Sequence, residues 1–576
     1  MKLFKKHIDY LLLAVICIVA ILPLLRPGFF PIHDDEQVGR LFELHQNVIS
    51  MHIPPRLSQN LGFGYDYPLF NFYPSFVYYV SEVFVLLGFS FIDSIKLMIG
   101  LGFFLSALFM YLFAKEYWGR WGGLLAAAAY VYAPYHSVDV YVRGALPEFW
   151  SFVFVPAVFW TLTLLFKKQK SIYVIPVVLS MAGIILTHNL VAMMSAFFLL
   201  PYILFLLWKA KNKKTFTLQL AISGVLSFGL TAYFWIPAFF EKKFTMVDLL
   251  TTELANYSLH FVCVKQFLIS PWGYGGSLLG CTDDISFQLG QVQLLLVFLA
   301  IVIGIVLFLK KKQVSSVFIL FLLLFVFSLF IQLSYSKPLW DILQPFWYIQ
   351  FPWRFLLFSA FTSSFLIGSL ANVPLNKHTK NILFVVAIFI IVGSGAQNFS
   401  PQKYLTNAKD NDYTNLDTLR WRTSIMAFEY APKGIITHTS PIGNTVISIT
   451  KDQIAKKSFD TLGNQTIVSV IVDKPQEKKF VTKSEIAVPF QINVFSFPGW
   501  DVYINNKNVT YTDNNPFKLI TIKIPPGENT ILAKFNDTLI RKIANSISVV
   551  SGIMIICLFG YFLVRKDNYG KKEKKR

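Results

Sequence analysis

The sequence predicts a polytopic α-helical membrane protein, with about 12 transmembrane helices and a C-terminal β-sandwich outside the membrane. Three observations lead to this class. The 576 residues are 55% hydrophobic and 17% aromatic, and their mean hydropathy is +0.53, which is more apolar than a water-soluble chain. Apolar stretches of about 20 residues, the length that crosses a bilayer, recur along the chain. Residues 397–545 instead alternate apolar and polar residues, which is typical of β-strands.

The apolar stretches account for most of the chain before residue 397. The net charge of +20 does not indicate nucleic-acid binding, because the basic residues cluster in short runs between apolar stretches, as in cytoplasmic loops beside anionic lipid. The predicted spans are 10–26, 93–114, 121–135, 148–166, 172–188, 190–208, 218–238, 291–309, 314–333, 354–372, 381–396 and 546–564.

The basic runs predict which loops lie in the cytoplasm. MKLFKK, KEYWGR, KKQK, KAKNKK, KKK, NKHTK and the tail hold 24 Lys and Arg, against nine in the opposite loops before residue 397. The positive-inside rule places the richer set in the cytoplasm. This requires that residues 73–89 do not cross, and Glu82 within that segment favours a helix lying at the interface. Both termini are then cytoplasmic.

This topology divides the chain into three parts. Residues 1–396 form a membrane domain with outer loops at 27–92, 133–148, 239–290 and 335–354. Residues 397–545 form the extracytoplasmic β-rich domain, with strand patterns in TVISIT, TIVSVIV and LITIKI and turn signals in PGW, INNKN and PPGEN. Residues 546–576 hold the last helix and a basic tail. Cys263 and Cys281 share one outer loop and could pair there.

An acidic run, HDDE at 33–36, follows the first span directly. One interpretation is structural: the following stretch EQVGRLFELHQNVIS has an apolar face opposite Arg40, Glu43 and Asn47, so it predicts an amphipathic helix lying on the membrane. Asp34 would then be an N-cap, with its neighbours complementing the helix dipole. The other interpretation is an outward-facing active site, because capping explains one or two acids but not three beside a histidine.

Several stretches resemble a known family. HDDE, GFGYDYPLFNFYPSFVYY, APYHSVDVYVRGALPE, THNL, SPWGYGGS, SFQLGQ, IQFPWRFL, FEYAP and FSFPGWDVYI are similar to a bacterial family named "6-pyruvoyl-tetrahydropterin synthase-related, membrane domain". The arrangement of spans also resembles the GT-C superfamily of membrane glycosyltransferases. That resemblance implies a GT-C-like fold, a lipid-phosphate-linked sugar donor and an acidic motif early in the first outer loop. The chain has no counterpart of the zinc-binding histidines of pterin enzymes.

Glycosyl transfer from a polyprenyl phosphate needs a base for the acceptor hydroxyl. The acids Asp34, Asp35 and Glu36 are the catalytic candidates, and Asp34 is the expected base, since burial at the membrane surface raises a carboxyl pKa. Asp35 and Glu36 are tentative ligands for a divalent cation, Mg²⁺ or Mn²⁺, although the chain does not clearly require a cofactor. Capping or solvation remains the alternative for all three acids.

The departing phosphate needs cationic or hydrogen-bonding groups. The substrate-binding candidates are His33, His136, Arg143, His188 and Arg354. Arg143 fits phosphate oxygens with its guanidinium fork, and its alternative is a salt bridge to Asp139 or Glu148. Arg354 binds phosphate or anchors at the interface. His188, in THNL, has the alternative of satisfying backbone groups at a helix end.

These candidates predict an inverting GT-C-type glycosyltransferase in the cell membrane, with its active face outside. The donor would be a polyprenyl-phosphate-linked hexose or pentose, and the acceptor a cell-envelope glycan, lipid or protein. The alternative is a non-catalytic transporter or assembly factor for cell-envelope glycans. The spans are nearly free of charge, whereas transporters carry ionisable groups or broken helices near the midplane, and this favours the enzyme. The expected partners include membrane lipids and no nucleic acid.

Overall fold

The computed structural model describes residues 2–277, 279–310, 315–440, 445–463 and 466–573. Nineteen α-helices fall within those ranges: α1 Lys2–Ile21, α2 Gln37–Ile49, α3 Leu69–Phe72, α4 Phe76–Leu86, α5 Phe91–Val131, α6 Pro134–Tyr141, α7 Leu146–Lys168, α8 Val174–Thr187, α9 Asn189–Lys209, α10 Lys213–Leu230, α11 Ala232–Glu241, α12 Val264–Leu268, α13 Gln291–Leu309, α14 Ser316–Phe330, α15 Lys337–Ile342, α16 Leu356–Gly368, α17 Lys377–Gly395, α18 Asp410–Thr414 and α19 Leu539–Glu573.

The helical part has the composition of a membrane domain. Within the described ranges, eight helices are long and apolar enough to span a bilayer, or nine if α10 and α11, which meet at 66°, count as one span. The long α5 breaks at Gly119, whose φ is 72°, and α8 and α14 are shorter apolar helices. The structure thus confirms the helical membrane class, while the number of twelve spans stays a prediction.

The centre of this domain is formed by α5, α7 and α16. Every residue of α16 is buried, and small residues let the helices approach: a Cβ at Gly122 in α5 would lie 2.7 Å from the Gly368 carbonyl oxygen of α16. Other helices, such as α13 and α17, keep most of their apolar side chains exposed. These outward faces fit contact with lipid.

Residues 73–89 contain only a short helix. α4 has 11 residues, or about 16 Å at 1.5 Å per residue, whereas the bilayer core is about 30 Å thick. Its Glu82 is buried and lies 2.9 Å from the Nδ1 atom of His45. The length fits the predicted interfacial helix. Among the basic runs used for sidedness, Lys311, Lys312 and the last three residues lie outside the described residues.

The C-terminal unit contains three antiparallel sheets, of which the two-stranded sheet of β1 and β2 is the smallest. Its strands are β1 Thr437–Thr439, β2 Thr445–Ile447, β3 Phe459–Asp460, β4 Ile467–Lys474, β5 Glu477–Ser484, β6 Val488–Phe495, β7 Trp500–Ile504, β8 Lys507–Val509, β9 Leu519–Ile524 and β10 Gly527–Phe535. Five strands have the order β4-β5-β10-β7-β8 and three have the order β3-β6-β9. Phe480 of the five-stranded sheet contacts Phe459 and Phe490 of the three-stranded one, as expected for a sandwich.

The strand and turn patterns predicted for this unit correspond to strands and a turn in the structure. TVISIT, TIVSVIV and LITIKI supply β2, β4 and β9. The INNKN signal is the β7–β8 hairpin, in which Ile504 pairs with Lys507. Its two turn residues, Asn505 and Asn506, both have positive φ, as a two-residue turn of type I′ requires.

Residues 397–436 differ from the prediction, because they contain no strand. They run back along the first outer loop: Leu405 and Phe29 exchange backbone hydrogen bonds of 2.8 and 3.2 Å, and the Asp410 carboxylate accepts from the backbone N–H of Phe91 and Ile92. Asp410 therefore caps α5 from a distant part of the chain.

The predicted polar face of α2 is also buried. Arg40, Glu43 and Asn47 are all nearly inaccessible to solvent. Glu43 accepts hydrogen bonds from the Ser58 hydroxyl and the Asn60 amide. The rest of the first outer loop therefore covers the polar face of α2, while the predicted position of this helix on the membrane stays a prediction.

Candidate functional site

A cavity of about 830 Å³ is lined by the ends of several helices, by residues of the loop 27–92 and by the segment before the β-sandwich. Ionisable groups from six separate stretches of sequence line it: Asp34, Glu36, Arg40, Arg143, Glu148, His188, Lys242, Arg354 and Glu429. The remaining wall is largely apolar, from residues that include Leu190, Met193, Trp235, Phe239, Leu250 and Trp347. A large, mostly apolar cavity with converging charged groups is the usual form of a ligand site.

The acidic run is fixed against the second outer loop by backbone pairing. His33 N–H donates to the Val142 carbonyl at 3.0 Å, and Asp34 N–H donates to the Arg143 carbonyl at 2.8 Å. Gly144 follows with a φ of 68°, and a Cβ there would lie 2.4 Å from Ile32, so only glycine fits the contact. The pairing places Asp34 beside Arg143 although 109 positions separate them in the sequence.

Arg143 and Arg354 share one buried carboxylate, Glu148. Its Oε2 atom lies 2.9 Å from Arg143 Nη1 and 3.2 Å from Arg354 Nε, and its Oε1 accepts from the Tyr135 hydroxyl. Arg143 Nη1 also pairs with Asp139. Both salt bridges weighed as alternatives for Arg143 are therefore present, yet Arg143 still lines the cavity. Arg354 is buried in this cluster and is not an interface anchor.

Asp34 is the acid that faces these arginines. Its half-buried carboxylate lines the cavity and receives no hydrogen bond or ion pair from any residue in the described part of the chain. Burial raises the pKa of this carboxyl, opposed by the electrostatic effect of Arg143, Arg40 and Arg354. Asp34 is not the N-cap of α2, because that helix begins at Gln37 and the capping position is Glu36, without a side-chain capping bond. The capping interpretation of Asp34 is wrong.

The two neighbouring acids, Asp35 and Glu36, each form an ion pair with an arginine. Glu36 Oε1 lies 2.7 Å from Arg40 Nη2, and the Arg40 guanidinium stacks on the Tyr73 ring at 4.0 Å. Asp35 pairs with Arg422 of the C-terminal segment and does not line the cavity. Within the described ranges, no group of three or more His, Cys, Asp or Glu forms a metal site. Each acid thus has one oxygen paired with an arginine, and the binding of Mg²⁺ or Mn²⁺ by Asp35 and Glu36 stays a prediction.

Of the three candidate histidines, one lines the cavity. His188 Nδ1 accepts from Val191 N–H and so caps α9, as its structural alternative predicted, and burial lowers its pKa to about 3. His33 bonds instead to the Tyr274 carbonyl through Nε2 at 3.0 Å. His136 is fully buried and stacks on Phe152 with ring centroids 4.0 Å apart. The structure therefore brings together Asp34, Arg143, His188 and Arg354, with Glu36 beside them.

Four charged cavity residues, Glu148, Arg40, Lys242 and Glu429, were not among the site candidates. Glu148 was considered only as a partner of Arg143, and Arg40 only as part of a polar helix face. Glu429 lies in the FEYAP stretch, which carried the family resemblance but no assigned role. An acid and an arginine four residues apart, as in Glu36 and Arg40, are a helix-pair signal that could have identified Arg40. No local signal identifies Glu429.

Comparison with known proteins identifies the family but no activity. An uncharacterized protein of Lactococcus lactis subsp. cremoris (strain MG1363) is 26% identical over 248 residues, which are 41% of this chain and 40% of that protein. The crystal structure of the Archaeoglobus fulgidus oligosaccharyltransferase in the apo form is similar over 76% of this chain, with 12% identity and a TM-score of 0.48.

The chain spans 40% of the length of that curated relative and 62% of that solved structure. A family described as "6-pyruvoyl-tetrahydropterin synthase related domain; membrane protein" matches residues 70–400, which is more than half of the chain. The match includes Arg143, Glu148, His188 and Arg354, while the acidic run and Glu429 lie on either side of it. The chain therefore belongs to the 6-pyruvoyl-tetrahydropterin synthase related family of membrane proteins.

Proposed function

We propose that this protein is a glycosyltransferase that moves a sugar from a polyprenyl-phosphate donor to a cell-envelope acceptor on the outer face of the membrane. One observation carries the proposal: the unpartnered carboxylate of Asp34 faces Arg143 and Arg354 in a cavity whose other wall is apolar. The three parts match the three needs of the reaction, which are a base, a phosphate site and a surface for a lipid chain.

In the proposed step, Asp34 accepts the proton of the acceptor hydroxyl. The acceptor oxygen forms a bond to the anomeric carbon of the sugar, and the bond from that carbon to the phosphate oxygen breaks. The phosphate leaves with the bonding electrons, and Arg143 and Arg354 stabilise its charge. A single displacement of this kind inverts the anomeric carbon. No step requires a metal ion, and a divalent cation bound with the donor stays a separate prediction that chelation tests.

The apolar wall supports a lipid-linked donor. Leu190 and Met193 belong to α9, while Trp235 and Phe239 belong to the bent helix α11. Phe239 is 62% exposed, so this side of the cavity is open to the apolar surroundings of the helices. A polyprenyl chain would lie along this wall with its phosphate at the arginines.

The first prediction concerns Arg354 and the donor phosphate. Arg354→Gln is expected to weaken binding of a polyprenyl monophosphate roughly 10- to 100-fold, because a hydrogen-bonded charge is lost. Arg354→Lys should lose less, since it keeps the charge but not the planar fork. Binding of labelled polyprenyl monophosphate to the purified chain in lipid nanodiscs measures both variants. Equal affinity in the wild type and in Arg354→Gln would remove Arg354 from the phosphate site.

The outer location of the cavity is a second part of the proposal. The Cys263–Cys281 disulfide supports it, since disulfides persist outside the cytoplasm. A cysteine at Lys168, the exposed last residue of α7, is expected to resist an impermeant thiol reagent in intact cells, in a variant from which the exposed Cys557 has been removed. A cysteine at Lys507 in the β-sandwich should react. Labelling at Lys168 without labelling at Lys507 would reverse the topology.

A further inference from the structure

The segment before the β-sandwich places a second unpartnered acid in the cavity. Glu429 lies on a short turn in which Ala431 N–H donates to the Phe428 carbonyl at 2.8 Å. The next residue, Tyr430, donates its N–H to the Tyr67 hydroxyl at 2.9 Å, and Met246 N–H donates to the Ala431 carbonyl. The first outer loop and the segment after α11 therefore both hold this turn, and Glu429 has a defined position on the cavity wall.

The Glu429 carboxylate accepts a hydrogen bond from its own backbone N–H, but it has no hydrogen bond or ion pair with another residue of the described ranges, although it is half-buried. The charge of Arg40 acts on it, and Arg40 is already paired with Glu36. Burial raises the pKa of Glu429. A partly desolvated carboxylate with a single donor is costly unless a ligand supplies more.

Aromatic side chains line the same cavity as this acid. They include Phe72, Tyr73 and Tyr430, and the Tyr430 ring stacks on Phe72 with centroids 5.2 Å apart. Glu429 and Tyr73 both act electrostatically on Tyr430. A carboxylate only accepts hydrogen bonds, and an aromatic face packs against apolar C–H groups. A pyranose ring offers both kinds of surface, with hydroxyl donors at its edge and C–H groups on its face.

Asp34 and Glu429 share a charged neighbour. Arg143, Arg40 and Arg354 act on Asp34, and Arg40 and Glu36 act on Glu429. One cavity therefore holds the proposed base, the two arginines of the proposed phosphate site and Glu429.

We infer that Glu429, with Tyr430 and Tyr73, forms the acceptor-binding end of the cavity, and that the acceptor is a sugar that donates hydroxyl hydrogen bonds to this carboxylate. The role of acceptor site rests on the proposed function, but the binding of a sugar at this site can be measured without the donor. The segment 397–436, before the β-sandwich, then contributes a substrate-binding side chain.

The test is binding of simple glycosides to the full chain in nanodiscs. Saturation-transfer NMR is recorded with the methyl glycosides of glucose, galactose, mannose and N-acetylglucosamine, and with ethanolamine as an ammonium compound without a ring. We expect saturable binding of at least one glycoside and a roughly tenfold weaker affinity in Glu429→Gln, because a charge-assisted hydrogen bond is lost. Glu429→Asp should recover part of it. Glu485→Gln, at an exposed acid of the β-sandwich, is the matched control.

Three results would overturn the inference: no saturable glycoside signal in the wild type, equal glycoside affinity in Glu429→Gln, or binding of ethanolamine in place of the glycosides. A fourth such result is that Glu429→Gln loses affinity for polyprenyl monophosphate by the same factor as for the glycoside. That would mean a general change of the cavity. Glycoside binding that depends on Glu429, in a protein that does not bind polyprenyl monophosphate, would uphold this inference and refute the proposed donor.

Discussion

Replacing Asp34 with Asn is expected to lower turnover roughly 10²–10⁴-fold, the usual contribution of a general base, while the protein still folds and binds the lipid phosphate. Asn has nearly the same size but cannot accept a proton. No cap is lost, because α2 begins at Gln37 and the Asp34 side chain makes no capping bond. Turnover of the purified variant, measured beside its melting temperature and its affinity for polyprenyl monophosphate, separates catalysis from folding.

The neighbouring acids are the controls for Asp34. Asp35 pairs with the exposed Arg422, so Asp35→Asn should change turnover only a few-fold. A fully active Asp34→Asn beside an inactive Glu36→Gln would move the role of base to Glu36. The pH profile gives a further check: the base must be deprotonated, and burial raises the pKa of Asp34. Wild-type turnover should therefore fall as the pH decreases through a value above the ordinary aspartate pKa of about 3.9.

Replacing Arg143 with Gln is expected to destabilise the protein by about 3–5 kcal/mol, the cost of removing one partner from a buried ion pair. Asp139 and Glu148 both have fully buried side chains and both contact Arg143, so the variant leaves two acids with only Arg354 nearby. Thermal unfolding in detergent, followed by tryptophan fluorescence, should show a clear decrease in melting temperature. Loss of activity in this variant alone therefore does not identify a phosphate ligand, and Arg354 is the better probe.

Arg422→Gln is the matched control for Arg143→Gln. Arg422 also pairs with an acid, Asp35, but its side chain is 67% exposed, and exposed pairs contribute about 0–1 kcal/mol. Its melting temperature should stay close to that of the wild type. Equal stability of Arg143→Gln and Arg422→Gln would contradict the description of Glu148 as the buried centre of the cluster.

Sequence patterns predicted the local structure better than the contacts between distant segments. Alternation and turn residues identified β4, β9 and the Asn505–Asn506 turn, because these depend on residues close in sequence. The buried face of α2 could not be predicted, because periodicity reports polarity and not what covers it. The pattern placed Arg40, Glu43 and Asn47 on the polar face, but it did not show that they are buried and hydrogen-bonded to other residues.

The site was predictable as a set of outer segments but not as a set of contacts. Sidedness placed Asp34, Arg143, His188 and Arg354 on one face, and the structure brings them to one cavity. The predicted sidedness could not indicate that Glu148 contacts both arginines, because that contact depends on how the loop after α6 folds back on α7. Glu429 was missed for a similar reason, since it reaches the cavity through the fold of residues 397–436 and not through any pattern nearby.

The most direct test of the proposed function is release of polyprenyl phosphate from a donor with a radiolabelled sugar. The purified protein is incubated with polyprenyl-phosphate hexoses and pentoses in nanodiscs, with and without a chelator and a cell-envelope extract as acceptor. The proposal predicts that the wild type releases polyprenyl phosphate and labels an acceptor with inverted configuration at the anomeric carbon, and that Asp34→Asn binds the donor but releases at least 100-fold less. Equal release by the wild type and Asp34→Asn, or tight donor binding by both with no release from any donor, would contradict it and favour a transporter or assembly factor.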